Sequence, residues 1–358
     1  MSYTNGLDKP TDYFNTKIFT GNNSANNSIT GIGFKPDWIW FKNRNSANDH
    51  ALVDSVRGRK ALSSNNTSAE LTLNADKDFQ SFDSDGFTVD VVEQLNSFNK
   101  SGDSIVTWNW LAGGSASSNT DGSITTSVSA NTTAGFSIVS YTSNGSASQT
   151  VGHGLGVAPN VIISKNRTDG GATYGNWVVY HSSLATANDK KTLLNSNSAS
   201  STTNEWGDTD PTSSVYSVHT GGDGATNHST DNIIAYCFAE KKGYSKFGSY
   251  TGNGSTDGVY IHLGFRPAWV MGKRTDTTNN WYMFDNKRST FNLTDEKLRA
   301  DTTATENVDS AKAIDMLSNG IKIKSSDEEF NASGGTYIFM AFSESSFVNS
   351  NGVPTNAR

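Results

Sequence analysis

Residues 33–44 read GFKPDWIWFKNR, two tryptophans and a proline ahead of Lys-Asn-Arg. The stretch has two relatives in the same chain, GVAPNVIISKNR from Gly156 and GFRPAWVMGKRT from Gly264. In each, a glycine precedes the proline by three positions and a lysine follows it by six, giving Pro36/Lys42, Pro159/Lys165 and Pro267/Lys273. Trp38 corresponds to Val161 and Trp269, Ile39 to Ile162 and Val270, and Trp40 to Ile163 and Met271. Only apolar character survives in these slots, so they need volume rather than the flat ring of a glycan-stacking platform. Three successive apolar residues predict a central strand covered on both faces. The prolines cannot donate to a ladder and mark the first residue of the strand or its lead-in loop. Lysines ending a strand read as solvated gatekeepers against edge pairing; reading acidic sugars or anionic partners is the alternative.

Two further blocks travel with this one. NKSGDSIVTWNW (99–110), NHSTDNIIAYCF (227–238) and NASGGTYIFMAF (331–342) place Asn and Ser two apart before a strand. FTGNNS (19–24), YTSNGS (141–146) and YTGNGS (250–255) come ahead of each proline strand. Trp108 and Trp110 correspond to Tyr236/Phe238 and Met340/Phe342, again core volume on one strand face. The prolines are separated by 123 and 108 residues, the size of a self-sufficient sandwich rather than of a solenoid or propeller repeat. The expected fold is all-β: three tandem, mutually similar antiparallel β-sandwiches of jelly-roll or lectin-like type. The expected boundaries are an N-terminal arm 1–10, repeat one 11–114, a Gly/Ser-rich flexible linker 115–133, repeat two 134–240, repeat three 241–343 and a C-terminal tail 344–358, the arm and tail being candidate docking segments. AKAIDML (311–317) is the best helical candidate, with a single turn as the alternative.

Composition bounds the function. Among 358 residues, 28 Lys+Arg stand against 35 Asp+Glu for a net charge of -7, with the basic residues scattered, so nucleic acid is not the expected partner. No apolar run is long enough to cross a bilayer, and no secretory signal opens the sequence; assembly in a cytoplasm without a membrane partner is expected. A single cysteine, Cys237, leaves no internal disulfide framework and reads as apolar filler. Charged residues are only 18% while aromatics reach 11%, which together with abundant Asn, Ser, Thr and Gly favours strands and turns.

The chemistry-bearing residues form no recognisable catalytic or metal pattern. DSDG (83–86) starts like a calcium loop but lacks the remaining ligands; LSNG (317–320) takes its place in repeat three, so both read as hairpin turns. DTDP (208–211) and SSDEEF (325–330) contain carboxylates without a partner at a recurring place. The six histidines lack zinc spacing. No catalytic residue, cofactor or metal ligand is therefore assigned. Repeat two departs locally: its proline lies 18 residues from Trp177, where Pro36/His50 and Pro267/Trp281 are 14 apart, the extra residues falling in RTDGGATYGN (167–176). Thr168 and Tyr174 there, with Trp206, His219 and His228 around the glycine-rich TGGDGATNHS (220–229), are the candidate surface-binding residues.

DYFNTKIFTGN, GIGFKPDWIWFKNR, DHALVDSVRG, SFDSDGF and NKSGDSIVTWNWLAGG, all in repeat one, resemble a repeated β-domain family in virion proteins of marine tailed phages, of the cyanophage and pelagiphage kind. The later copies lose DSVRG, so no role of Asp54 or Arg57 is carried onto them. The resemblance implies a non-enzymatic virion structural protein on the particle exterior, tail- or fibre-associated and contributing to host-surface adhesion. It would contact other virion proteins, further copies of itself as a homo-oligomer, and host-surface glycan. Capsid decoration is the close alternative and a glycan-degrading tail enzyme the remaining one.

Overall fold

The computed structural model describes residues 7–346 apart from 169, 172 and 221–225. Residues 1–6 of the expected arm and 347–358 of the expected tail lie outside the described residues, as do 221–225 of the glycine-rich stretch. The fold is all-β, with only three short 3-10 turns, and every ladder between strands is antiparallel.

One strand order recurs along the chain. In repeat one the larger sheet runs Phe14–Thr20, Ser104–Trp110, Trp38–Asn43, Ala51–Asp54. Repeat two places Phe136–Thr142, Asn232–Phe238, Val161–Asn166 and Trp177–His181 in the same order, and repeat three does so with Ser245–Thr251, Thr336–Ser346, Phe265–Arg274 and Tyr282–Asp285. Each proline strand is therefore central, hydrogen-bonded to the last strand of its repeat on one side and to a hairpin partner on the other. A smaller sheet accompanies each larger one, built on the turns at 83–86 and 317–320 in repeats one and three. Gly86 and Gly320 are needed there because a Cβ would lie 1.9 Å from the Ile29 carbonyl oxygen and 2.2 Å from that of Ile261.

The alternating faces of the proline strand serve different cores. Ile39 and Phe41 point into a cluster with Phe79, Phe87 and Phe98 that belongs to repeat one. Trp38 and Trp40 point the other way, into a cluster drawing on all three repeats, with Trp108, Trp110, Ile163, Tyr236, Phe238, Trp269, Met340 and Phe342. At its centre, Trp110, Phe238 and Phe342 contact one another pairwise, with ring centroids 5.7 to 6.4 Å apart, and Trp38 stacks on Tyr236 at 4.2 Å. The tryptophans are core, but core between repeats, where a sandwich filling its own interior would have placed them within one.

The recurring asparagines explain why the sequence blocks travel together. Asn99, Asn227 and Asn331 are fully buried. Their side-chain oxygens accept from the backbone amides of Asn22, Asn144 and Asn253 at 2.9 to 3.1 Å, and their amide nitrogens return to those same side chains at 2.7 to 3.3 Å. Each clamp joins the GNxS-type turn to the start of the repeat's last strand, so neither block is useful without the other.

Three local expectations are corrected. The Gly/Ser-rich segment 115–133 is no free linker: Ser117–Asn119 and Thr126–Asn131 extend the sheet of repeat two, pairing onto Phe136–Thr142 in series. Sheet hydrogen bonding overrides the turn propensity of its serines and glycines. AKAIDML is a 3-10 turn at Ser310–Lys312 followed by the strand Ile314–Leu317, its apolar residues alternating in to repeat three's own core. Pro267 sits inside its strand, where the ladder shifts register between Arg266 and Trp269 and needs no donor from it.

Candidate functional site

The polar chemistry concentrates along three seams between repeats. Lys42, Lys165 and Lys273 are fully buried, which corrects the gatekeeper expectation. Each ammonium reaches a backbone carbonyl of another repeat: Lys42 to Thr303 at 2.9 Å, Lys165 to Thr67 at 3.3 Å and Lys273 to Asn197 at 2.9 Å. Repeat one thus reaches repeat three, two reaches one, and three reaches two, which closes a ring. Burial lowers the pKa of Lys42 and of Lys273 to about 8. A long apolar stem with three donors at its tip satisfies carbonyls at the end of a covered strand, a use that spacing alone did not separate from a solvated end.

Position 14 beyond the proline in repeats one and three, and 18 beyond it in repeat two, repeats the pattern. His50 Nε2 donates to the Arg299 carbonyl at 2.9 Å, Trp177 Nε1 to Ser63 at 2.8 Å and Trp281 Nε1 to Leu193 at 2.9 Å. His50 Nδ1 accepts from Trp40 Nε1 at 2.8 Å, which fixes the tautomer. Burial, with Lys42 adding to it, pushes the His50 pKa well below its ordinary value, so it is a neutral structural donor.

The last residue of each hairpin strand binds across the seam in the opposite sense. Asp54 accepts from the Tyr236 hydroxyl at 2.7 Å, Asp285 accepts from Trp108 Nε1 at 3.0 Å, and His181 Nε2 donates to the Phe339 carbonyl at 3.1 Å. Behind them, Arg57 Nε bonds Asp54 at 2.5 Å and Arg288 Nε bonds Asp285 at 2.6 Å, all four side chains being sealed from water. DSVRG is therefore not lost from repeat three: DNKRS at 285–289 builds the same pair. Comparing letters at adjacent positions hid it; the i, i+3 spacing of Asp and Arg was the available signal.

A fourth seam contact breaks the pattern. Arg167 holds Glu70 through two hydrogen bonds at 2.7 and 2.9 Å, and Arg44 holds Glu306 in the same way at 2.5 and 3.0 Å. The equivalent positions between repeats three and two are Thr275 and Ser200. There the backbone bond persists, Ser200 amide to Thr275 carbonyl at 2.9 Å, matching Glu70 to Arg167 and Glu306 to Arg44.

Asp301 introduces a pH-sensitive position on this frame. The backbone amides of His50 and Trp177 donate to the neutral side chains of Asn65 and Asn195, whereas that of Trp281 donates to Asp301 at 3.1 Å. Burial pushes the Asp301 pKa up to about 7, with Lys273 and Arg299 holding back part of the rise. The folded state therefore binds this proton more tightly than the unfolded state, and a penalty absent below about pH 4 develops as pH rises toward 7. Asp301→Asn should gain about 4 kcal/mol at pH 8 relative to its effect at pH 4, because the rise from 3.8 to about 7 already includes the attraction of Lys273. Urea unfolding at both pH values checks this; an equal difference at the two contradicts it.

The candidate surface residues separate into two places. Tyr174 and His228 meet, the rings stacked at 3.8 Å with His228 Nδ1 bonding Asp231 at 2.7 Å, and the Thr168 hydroxyl accepts from the amide of the next residue, Asn232, at 2.8 Å. The neighbouring loop is already used, since Gly170 accepts from the Thr67 hydroxyl of repeat one at 3.2 Å, and a Cβ on Gly175 would come within 2.4 Å of the Thr67 carbonyl oxygen. Trp206 is buried rather than on the surface, with its indole donating to Lys190 at 3.1 Å and packing edge-on to Tyr180. His219 is half-buried beside Asn204. Cys237 is fully buried in the central ladder of repeat two, and burial pushes its thiol pKa up. Among the described residues, no group of three or more His, Cys, Asp or Glu is placed to hold a metal ion.

One family's model, described as a domain of unknown function (DUF7483), matches residues 9–346. No curated protein and no solved structure matches the chain.

Proposed function

We propose, for a chain that belongs to the DUF7483 family over residues 9–346 as one piece, that it is a non-enzymatic structural protein on the exterior of a phage particle, tail- or fibre-associated and contributing to host-surface adhesion. The observation that carries this reading is the closed ring of seams: the buried lysines, the Asp–Arg pairs and His50 are all committed to partners in another repeat. Such a body resists unfolding without disulfides or cofactors, as an exposed particle component must. Each larger sheet with its smaller one forms, in this reading, one of three jelly-roll- or lectin-like sandwiches. Repeat three leaves Phe291 and Val308 at 78% and 63% exposure, apolar contacts suited to other virion proteins or to further copies of the chain. Low affinity per site is multiplied when many copies share one particle.

The test is peptide quantification on purified particles of the phage that encodes the chain. About a dozen copies or fewer per particle are expected for a tail position, while copies on the order of hundreds would shift the assignment to capsid decoration. Absence from purified particles would overturn the proposal, and release of reducing ends from host polysaccharide would overturn its non-enzymatic part.

A further inference from the structure

Where two seams carry a crossing Arg–Glu pair, the seam between repeats three and two has Thr275 and Ser200, and a cleft of about 370 Å³ opens there. It is the place in the ring where the repeated chemistry stops repeating. The missing guanidinium and carboxylate are not replaced by apolar packing, which would close the seam at least cost. Beside Leu184, Ala185 and Ile338, the walls carry Ser183, Ser249 and half-buried Tyr250, together with the two substituted positions and the carboxylate of Asp276.

The donor set defines what fits. Among the described residues, the hydroxyls of Ser183 and Ser249 make no hydrogen bond, and each can both donate and accept. Asp276 is held in place by Arg274 at 2.9 and 3.1 Å while its side chain keeps 37% exposure. Tyr250 is anchored by its own hydroxyl on the Phe330 carbonyl at 2.7 Å and stacked on Tyr337 at 4.7 Å, so it offers a rigid ring edge beside the hydroxyls. The volume falls at the small end of ligand pockets. Asp276 is already compensated by Arg274, whereas the Lys190 ammonium donates to the neutral Thr202 hydroxyl at 2.8 Å and keeps its charge on the same wall.

We propose that this cleft binds a hexopyranose unit, whose vicinal hydroxyls pair with the serine hydroxyls and Asp276 while its C–H edge lies against Tyr250. This rests on the adhesion reading above and assigns it to one seam.

The experiment uses the full chain, saturation-transfer NMR and a panel of glucose, galactose, mannose and N-acetylglucosamine, with inorganic sulfate as an ionic probe. At least one sugar should bind with a Kd of about 1 mM, the range open to so small a ligand. The double variant Ser200→Glu/Thr275→Arg installs the pair found at the other two seams, and should fold with unchanged circular dichroism while losing sugar affinity by about tenfold or more. Silence from all four sugars, a response to sulfate alone, or undiminished sugar binding by the folded double variant overturns the proposal. Should the double variant fail to fold, Ser249→Lys, at an exposed position on the same wall, serves the same comparison. Sugar silence from a chain found on particles leaves the particle assignment standing; sugar binding by a chain absent from particles sinks that assignment and leaves the cleft.

Discussion

Residues 11–114 expressed alone will not fold. Repeat one has its own cluster around Phe41, Phe79 and Phe87, and by length it is an ordinary domain. Yet Phe14, Trp38, Trp40, Trp108 and Trp110 belong to the cluster shared with the other repeats, all at 1% exposure or less. A ring of this kind buries roughly 150 Å² or more, worth about 4 kcal/mol at ~25 cal/mol per Å². Exposing half the area of the five costs on the order of 10 kcal/mol, which is the whole stability of a domain this size. The isolated repeat should therefore show weak near-ultraviolet dichroism and aggregate. A soluble monomer with cooperative thermal unfolding would contradict the shared core.

Arg57→Met should cost about 3–5 kcal/mol, the scale for stripping one partner from a buried ion pair. Burial opposes the charge on Arg57, but Asp54, Tyr236 and Glu70 hold its pKa above the ordinary value. The guanidinium also bonds the Leu52 carbonyl and the Tyr236 hydroxyl, both at 3.1 Å. Methionine leaves Asp54 sealed from water with two backbone amides and one phenol but no cation. Repeat two shows the neutral solution, with His181 and Leu184 at the Asp and Arg positions. The double variant Asp54→His/Arg57→Leu should accordingly recover most of the loss, because removing both charges is far cheaper than removing one. Urea midpoints of the two variants decide it: a single variant within about 1 kcal/mol of the parent, or a double variant worse than the single, would contradict the network.

The all-β class, the central proline strands and the recurring blocks were legible because they are local: apolar alternation, turn residues and fixed spacings are all read within a few positions. The burial of Trp38 and Trp40 was legible for the same reason, since Val161 and Ile163 in their slots ruled out a need for aromatic faces. What they pack against was not, because a strand buried on both faces looks the same whether its second cover is its own sheet or a neighbouring repeat. Lys42, Lys165 and Lys273 were misjudged through that gap: their partners lie 261, 98 and 76 residues away in sequence. Trp206 misled in the opposite direction, a lone tryptophan among glycines and acids whose indole turned out to have a backbone acceptor on the strand Lys190–Leu193. The cleft could have been suspected from the sequence, since Arg44 and Arg167 align with Thr275, but its other wall needed Ser200 placed beside Glu70 and Glu306, and that pairing exists only once the ring is closed.

Differential scanning calorimetry of the full chain tests the shared core most directly. Three repeats welded through one hydrophobic cluster should melt in a single transition whose calorimetric enthalpy matches the van't Hoff enthalpy, a ratio of about one. Separate transitions, or a ratio near three, would mean that each repeat stands alone and that the seams do not bind them into one body.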